Sequence, residues 1–247
     1  MIRSLIVIFL LVTAIGCASA NPREKEMNMT PFDASTPLDM TGKTITPYIL
    51  FHAAKLLQSI EPDEVLMIET DIFKAIESDI NAWCRMTGHL LEKTEIKEES
   101  QLYYIRKGIP DLNQKSLAMI ISSTSLEELL SPLGLALSAA ISGRQVHLYF
   151  QGPGTRLLKN GYTASLEGIS KPFTGFAKSG LEKAGHLPAE KKIRLLKELG
   201  AIFYICGGSM DHFGGKEADL IFDDIVQAEY FTILEVMESS DVKIMLQ

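Results

Sequence analysis

Four short runs in the second half of the chain are apolar at almost every position: Leu117–Ile121, Gln145–Phe150, Ala201–Ile205 and Val242–Leu246. A strand that does not alternate has both faces covered, which is the mark of a parallel sheet clothed by helices. Between these runs lie helical segments at about 126–142, 189–199, 216–222 and 228–238, the first two ended by Gly143 and Gly200. Strands alternating with helices predict a mostly parallel, doubly wound α/β domain over residues 116–247. Residues 155–186 break the rhythm. Their weak periodicity reads as a long excursion over the carboxyl end of the sheet, where such folds bind ligands.

A smaller module precedes it. Pro47 reads as the first residue of a helix with Thr46 as its N-cap, and Ile49, Leu50, Ala53, Leu56, Leu57 and Ile60 recur at helical spacing. Glu64–Thr70 is a short apolar run and is expected to form a strand. A second helix over about 71–87 ends at Gly88, and residues 89–97 and 101–107 are expected to pair as two closing strands. The order β-α-β-α-β-β gives a small two-layer sheet with both helices on one face. The seam between the modules falls at residues 109–115.

The first twenty residues read as an address rather than structure. Arg3, the apolar core from Leu5 to Val12 and the triplet Ala18-Ser19-Ala20 match a secretory signal, cleaved before Asn21. That core is shorter than the roughly 20 apolar residues a bilayer span needs. A rival cleavage at Cys17, after Ala14-Ile15-Gly16, would leave a lipidated cysteine and a membrane tether. Residues 21–36 form a polar linker. The expected destination is therefore outside the inner membrane, periplasmic or tethered to it. With 24 Lys and Arg against 31 Asp and Glu, the net charge of −7 argues against a nucleic-acid partner. Three cysteines make no disulfide scaffold and no zinc spacing. The chain implies no cofactor.

In the first module, Leu38-Asp39 with Gly42, Glu61-Pro62-Asp63-Glu64-Val65-Leu66 and Ala82-Trp83-Cys84-Arg85-Met86-Thr87-Gly88-His89 resemble the TusA/SirA sulfur-carrier domain over residues 37–108. In that family a Cys-Pro-x-Pro motif at the first helix carries sulfur as a persulfide. Here Thr46-Pro47-Tyr48-Ile49 stands in its place. A hydroxyl holds no sulfane sulfur, so the resemblance implies a degenerate domain kept for docking. Cys84, on an amphipathic helix beside Trp83, reads as a small buried hydrophobe.

The sharper candidate is Cys206. It follows the third apolar run directly, and Gly207, Gly208, Ser209 and Met210 lead from it into the next helical segment. Backbone N–H groups freed by two glycines and a helix start both favour a thiolate, the form that attacks sulfane sulfur. Cys206-Gly207-Gly208-Ser209-Met210-Asp211 is similar to the Cys-x-x-Ser-Met signature of DsrE/DsrF/DrsH-like proteins, and the pattern extends over most of 116–247. The resemblance implies persulfide transfer on Cys206 in a homo- or hetero-oligomer, with sulfur donor and acceptor proteins or small thiols as partners. The activity would be that of a sulfurtransferase or persulfide carrier. The competing reading is a non-catalytic binding or scaffold protein in which both modules have lost sulfur chemistry and Cys206 only packs. Cys206, Met210 and His212 also form a thin Cu(I) candidate; no metal site is expected.

Overall fold

The structure is a computed structural model that describes residues 36–109, 115–214 and 219–246. The expected export signal with Cys17 and nearly all of the polar linker therefore lie outside the described residues. So do residues 110–114 of the seam. No helix among the described residues is long and apolar enough to cross a membrane.

The first module follows the expected order: β1 (Thr36–Asp39), α1 (Thr46–Ser59), β2 (Val65–Asp71), α2 (Lys74–Thr87), β3 (Leu90–Ile96) and β4 (Ser100–Arg106). Its sheet is mixed and ordered β1-β2-β4-β3, with β1 parallel to β2 and the other pairs antiparallel. Helix α1 starts one residue earlier than expected. Ile45 takes the cap position without a side-chain bond, while Thr46 is the first helical residue and is buried. Pro47 brings no N–H, so the first turn has one fewer donor to satisfy. Helix α2 ends as expected, with Gly88 in the left-handed conformation at φ 76°.

The second module holds β5 (Ser116–Ile121), α3 (Leu126–Ile141), β6 (Gln145–Phe150), α4 (Thr174–Lys183), α5 (Ala189–Glu198) and β7 (Ile202–Cys206). It continues with α6 (Gly207–Ser209), β8 (Val226–Ala228), α7 (Tyr230–Ser239) and β9 (Val242–Leu246). All pairs are parallel, in the order β8-β7-β6-β5-β9. The doubly wound expectation holds. From β5 to β8 the chain steps one way along the sheet, then returns to β9 on the far side of β5. Right-handed crossovers then place α3 and α5 on one face and α7 on the other. The cores agree. Leu117, Met119, Leu148, Phe150, Phe203 and Ile205 pack with α3 and α5, whereas Ile120, Tyr149, Tyr204, Cys206 and Ala228 pack with Ile233 of α7.

Three details differ from the sequence reading. The excursion is more ordered than its periodicity implies, with 3₁₀ segments at Gly152–Leu158 and Gly168–Phe173 before α4. Strand β8 was not expected: three residues with only Ala228 buried carry no strand period. The helical segment expected at 216–222 lies partly outside the described residues, and Leu220 within it makes an isolated antiparallel bridge to Lys159.

Helices of the two modules face each other. The core is continuous from α1 and α2 through α3 and α5, and the described residues of both modules belong to one compact unit. Trp83 Nε1 donates to the Ile141 carbonyl at 3.4 Å, and the Thr44 hydroxyl donates to the Ala184 carbonyl at 3.0 Å. The opposite face of the larger sheet, with β7 and α7, is left to the site.

Candidate functional site

Cys206 is the last residue of β7, paired with Ala228 of β8. Its side chain points to the α7 face, and it is buried, at 6% exposure. Three chain segments meet around its sulfur. The end of β6 brings Tyr149 and, just beyond it, Gly152. The turn after β7 brings Ser209, and the end of β8 leads into Glu229.

The sulfur caps the turn that follows it. Ser209 N–H donates to Sγ at 3.4 Å, and the Ser209 hydroxyl lies 3.1 Å from the same atom. The serine oxygen also accepts the Gly152 amide proton at 2.9 Å. With the hydroxyl donating to the sulfur, the two contacts form a short chain of bonds that polarise one another. Of the three amides expected to face the thiol, those of Gly207, Gly208 and Ser209, only the last is seen to donate to it. The Gly208 N–H turns instead to Glu229 Oε1 at 3.1 Å.

Glu229 was not singled out from the sequence. Its carboxylate bridges the site, with Oε1 on Gly208 and Oε2 in a long contact of 3.9 Å with Cys206 Sγ. The residue is exposed, so it joins a buried sulfur to solvent. A Cβ at Gly207 would stand 2.9 Å from Gln227 Nε2 and 3.0 Å from Glu229 Oε1, the flexible ends of two side chains that would have to shift to admit it.

Tyr149 was also missed. Its ring is almost fully buried, and its hydroxyl interacts with Cys206 and has no other hydrogen-bond partner among the described residues. Burial pushes its phenol well up, and the neighbouring Cys206 and Glu229 push in the same direction. The hydroxyl is thus a proton donor beside the thiol, engaged by nothing else among the described residues.

The other sequence candidates lie elsewhere. Met210 packs into the α3–α5 core while Cys206 faces α7, and His212 is exposed. Thus Cys206, Met210 and His212 do not converge. Among the described residues, no group of three or more His, Cys, Asp or Glu side chains could hold a metal ion. Cys84 is buried, and burial drives its thiol up to about 12, which fits a packing role. Both described cysteines are free. Thr46 and Pro47 line a largely apolar cavity of about 390 Å³ with Leu50, Trp83 and Leu135. They stand on the α3 side of the larger sheet and are not brought to Cys206.

Comparisons with known proteins bear on the larger module. A family model described as DsrE/DsrF-like family matches residues 115–245, just over half of the chain. Among solved structures, the YchN protein from E. coli is 16% identical over 54% of this chain and 99% of that one, with a TM-score of 0.39. No curated protein gives a significant match.

Proposed function

The chain belongs to the DsrE/DsrF-like family, and on that premise we propose that it traffics sulfur, holding it as a persulfide on Cys206. The observation that carries this reading is the polar cradle around a cysteine at the carboxyl end of a central parallel strand: two bonds from Ser209 to the sulfur, and Glu229 beside it. A thiol buried only for packing has no need of these donors. In the relay, the Cys206 thiolate attacks the outer sulfur of a donor persulfide, and an acceptor thiol later removes that sulfur.

The smaller module is the degenerate TusA-like domain of this reading, docking partners while Thr46 holds no sulfur. The protein works outside the inner membrane, released by cleavage before Asn21 or lipidated at Cys17. Exposed Tyr230 and Phe231, next to Glu229, offer apolar surface near the sulfur for a donor or acceptor protein or a second copy. The low exposure of Cys206 favours a second reading, a binding protein whose cysteine only packs.

Incubation of the purified chain with inorganic polysulfide, followed by intact mass, separates the two. The relay reading requires the mass of added sulfur on the wild type and on Cys84→Ala, and its loss in Cys206→Ala. Equal loading of Cys206→Ala rejects it.

A further inference from the structure

We infer that Glu229 and Tyr149 are working parts of the Cys206 site: Glu229 carries the proton of the transfer, and the Tyr149 hydroxyl holds the arriving outer sulfur. The inference rests on the relay reading and names the groups that make it run. Two independent observations carry it. One is the bridging carboxylate, with Oε2 3.9 Å from Sγ and Oε1 anchored on the Gly208 amide. The other is a phenol hydroxyl, on a side chain 3% exposed, that has no partner among the described residues besides Cys206 itself.

The atoms balance without an oxidant. The Cys206 thiol gives its proton to Glu229, and the thiolate attacks the outer sulfur of a donor R–S–SH. The donor S–S bond breaks as the new one forms. R–S⁻ departs and takes the proton back from Glu229, leaving Cys206–S–SH and R–SH. A base within reach of the thiol and exposed to the leaving group suits both halves of this exchange. The added sulfur extends Cys206 by one atom in a pocket where Ser209 already occupies the inner sulfur. Tyr149 is the remaining donor, and its proton is firmly held because burial and nearby negative charge raise its phenol.

Neither role can be a disguised structural one if the variants behave as the geometry requires. Tyr149→Phe removes a hydroxyl whose one partner is Cys206, so it should melt close to the wild type. Glu229→Gln keeps an oxygen for the Gly208 N–H and loses only the proton acceptor. With polysulfide as the probe and intact mass as the readout, Glu229→Gln should load about a hundredfold more slowly, and Glu229→Asp should recover part of that rate. Tyr149→Phe should load and then lose its sulfur to a small thiol about tenfold faster. A wild type that takes up no sulfur overturns the relay reading and this inference with it. A wild type that loads, with both variants loading and holding sulfur as it does, overturns this inference alone.

Discussion

The Ser209 hydroxyl stands 3.1 Å from the Cys206 sulfur while its oxygen accepts the Gly152 amide proton at 2.9 Å. Its own proton points to the sulfur. A hydroxyl held in this way stabilises charge on Cys206 at no cost of reorganisation when the thiolate forms.

Ser209→Ala tests that contact. The variant keeps the backbone N–H bond to sulfur but loses the side-chain donor, worth about 1 kcal/mol. Alkylation of Cys206 by iodoacetamide should slow about fivefold, and Ser209→Thr should restore most of the rate. An unchanged alkylation rate would show that the hydroxyl serves only Gly152.

How much of this site was legible beforehand follows from its parts. Cys206 stood out because β7 is apolar throughout and ends abruptly in two glycines. Periodicity placed β5, β6, β7 and β9 within a residue or two for the same reason. Tyr149 was hidden because it faces the sulfur only once the β6–β7 register, with Tyr149 opposite Tyr204, puts both on the α7 face. Register is a tertiary fact. Glu229 was hidden by β8, an edge strand of three residues whose pairing rests on β7 rather than on its own propensity. The cap of α1 failed in reading for a local reason: the Tyr48 and Ile49 amides, which a Thr46 side chain would have served, both donate to the Ile45 carbonyl.

Stability should fall as the solution is acidified from neutrality. His52, His89, His147 and His186 all sit below the usual imidazole value of 6.5. Burial is the main cause in each, and Lys55, Lys107 and Lys192 add to it for His52, His89 and His186. The unfolded chain therefore binds protons at a pH where the folded chain still refuses them. Stability is unaffected by these groups above about pH 7 and is lost as pH drops through 6.5 and below. The hydrogen-bonded carboxyls of Asp39 and Asp241 are lowered from 3.8 and add the same trend only at more acid pH. Melting temperature measured from pH 7 to pH 5 should decline, and His147→Phe should flatten part of the decline. A level profile over that range would contradict the burial argument.

Lys192 gives the opposite kind of test, a substitution expected to stabilise. Its side chain is buried between α3 and α5, 5% exposed, and Nζ donates to the Leu130 carbonyl at 2.9 Å. Desolvation lowers its ammonium from 10.5 to about 8, so at neutral pH the fold carries a charge that its surroundings resist. That shift corresponds to about 3 kcal/mol of penalty, against about 1 kcal/mol for the single bond to Leu130. Methionine has similar length and fills the same space without charge. Lys192→Met should therefore gain about 1–2 kcal/mol at pH 7 and raise the melting temperature by roughly 2–6 °C for a chain of this size. The advantage of the variant shrinks with pH in a defined window. The folded lysine gives up its proton near 8 while the unfolded one holds it to about 10.5, so the wild type recovers stability across that interval and the gap to the variant should close. A variant that melts lower than the wild type at pH 7 would mean that the Leu130 bond, and not the buried charge, dominates at the α3–α5 contact.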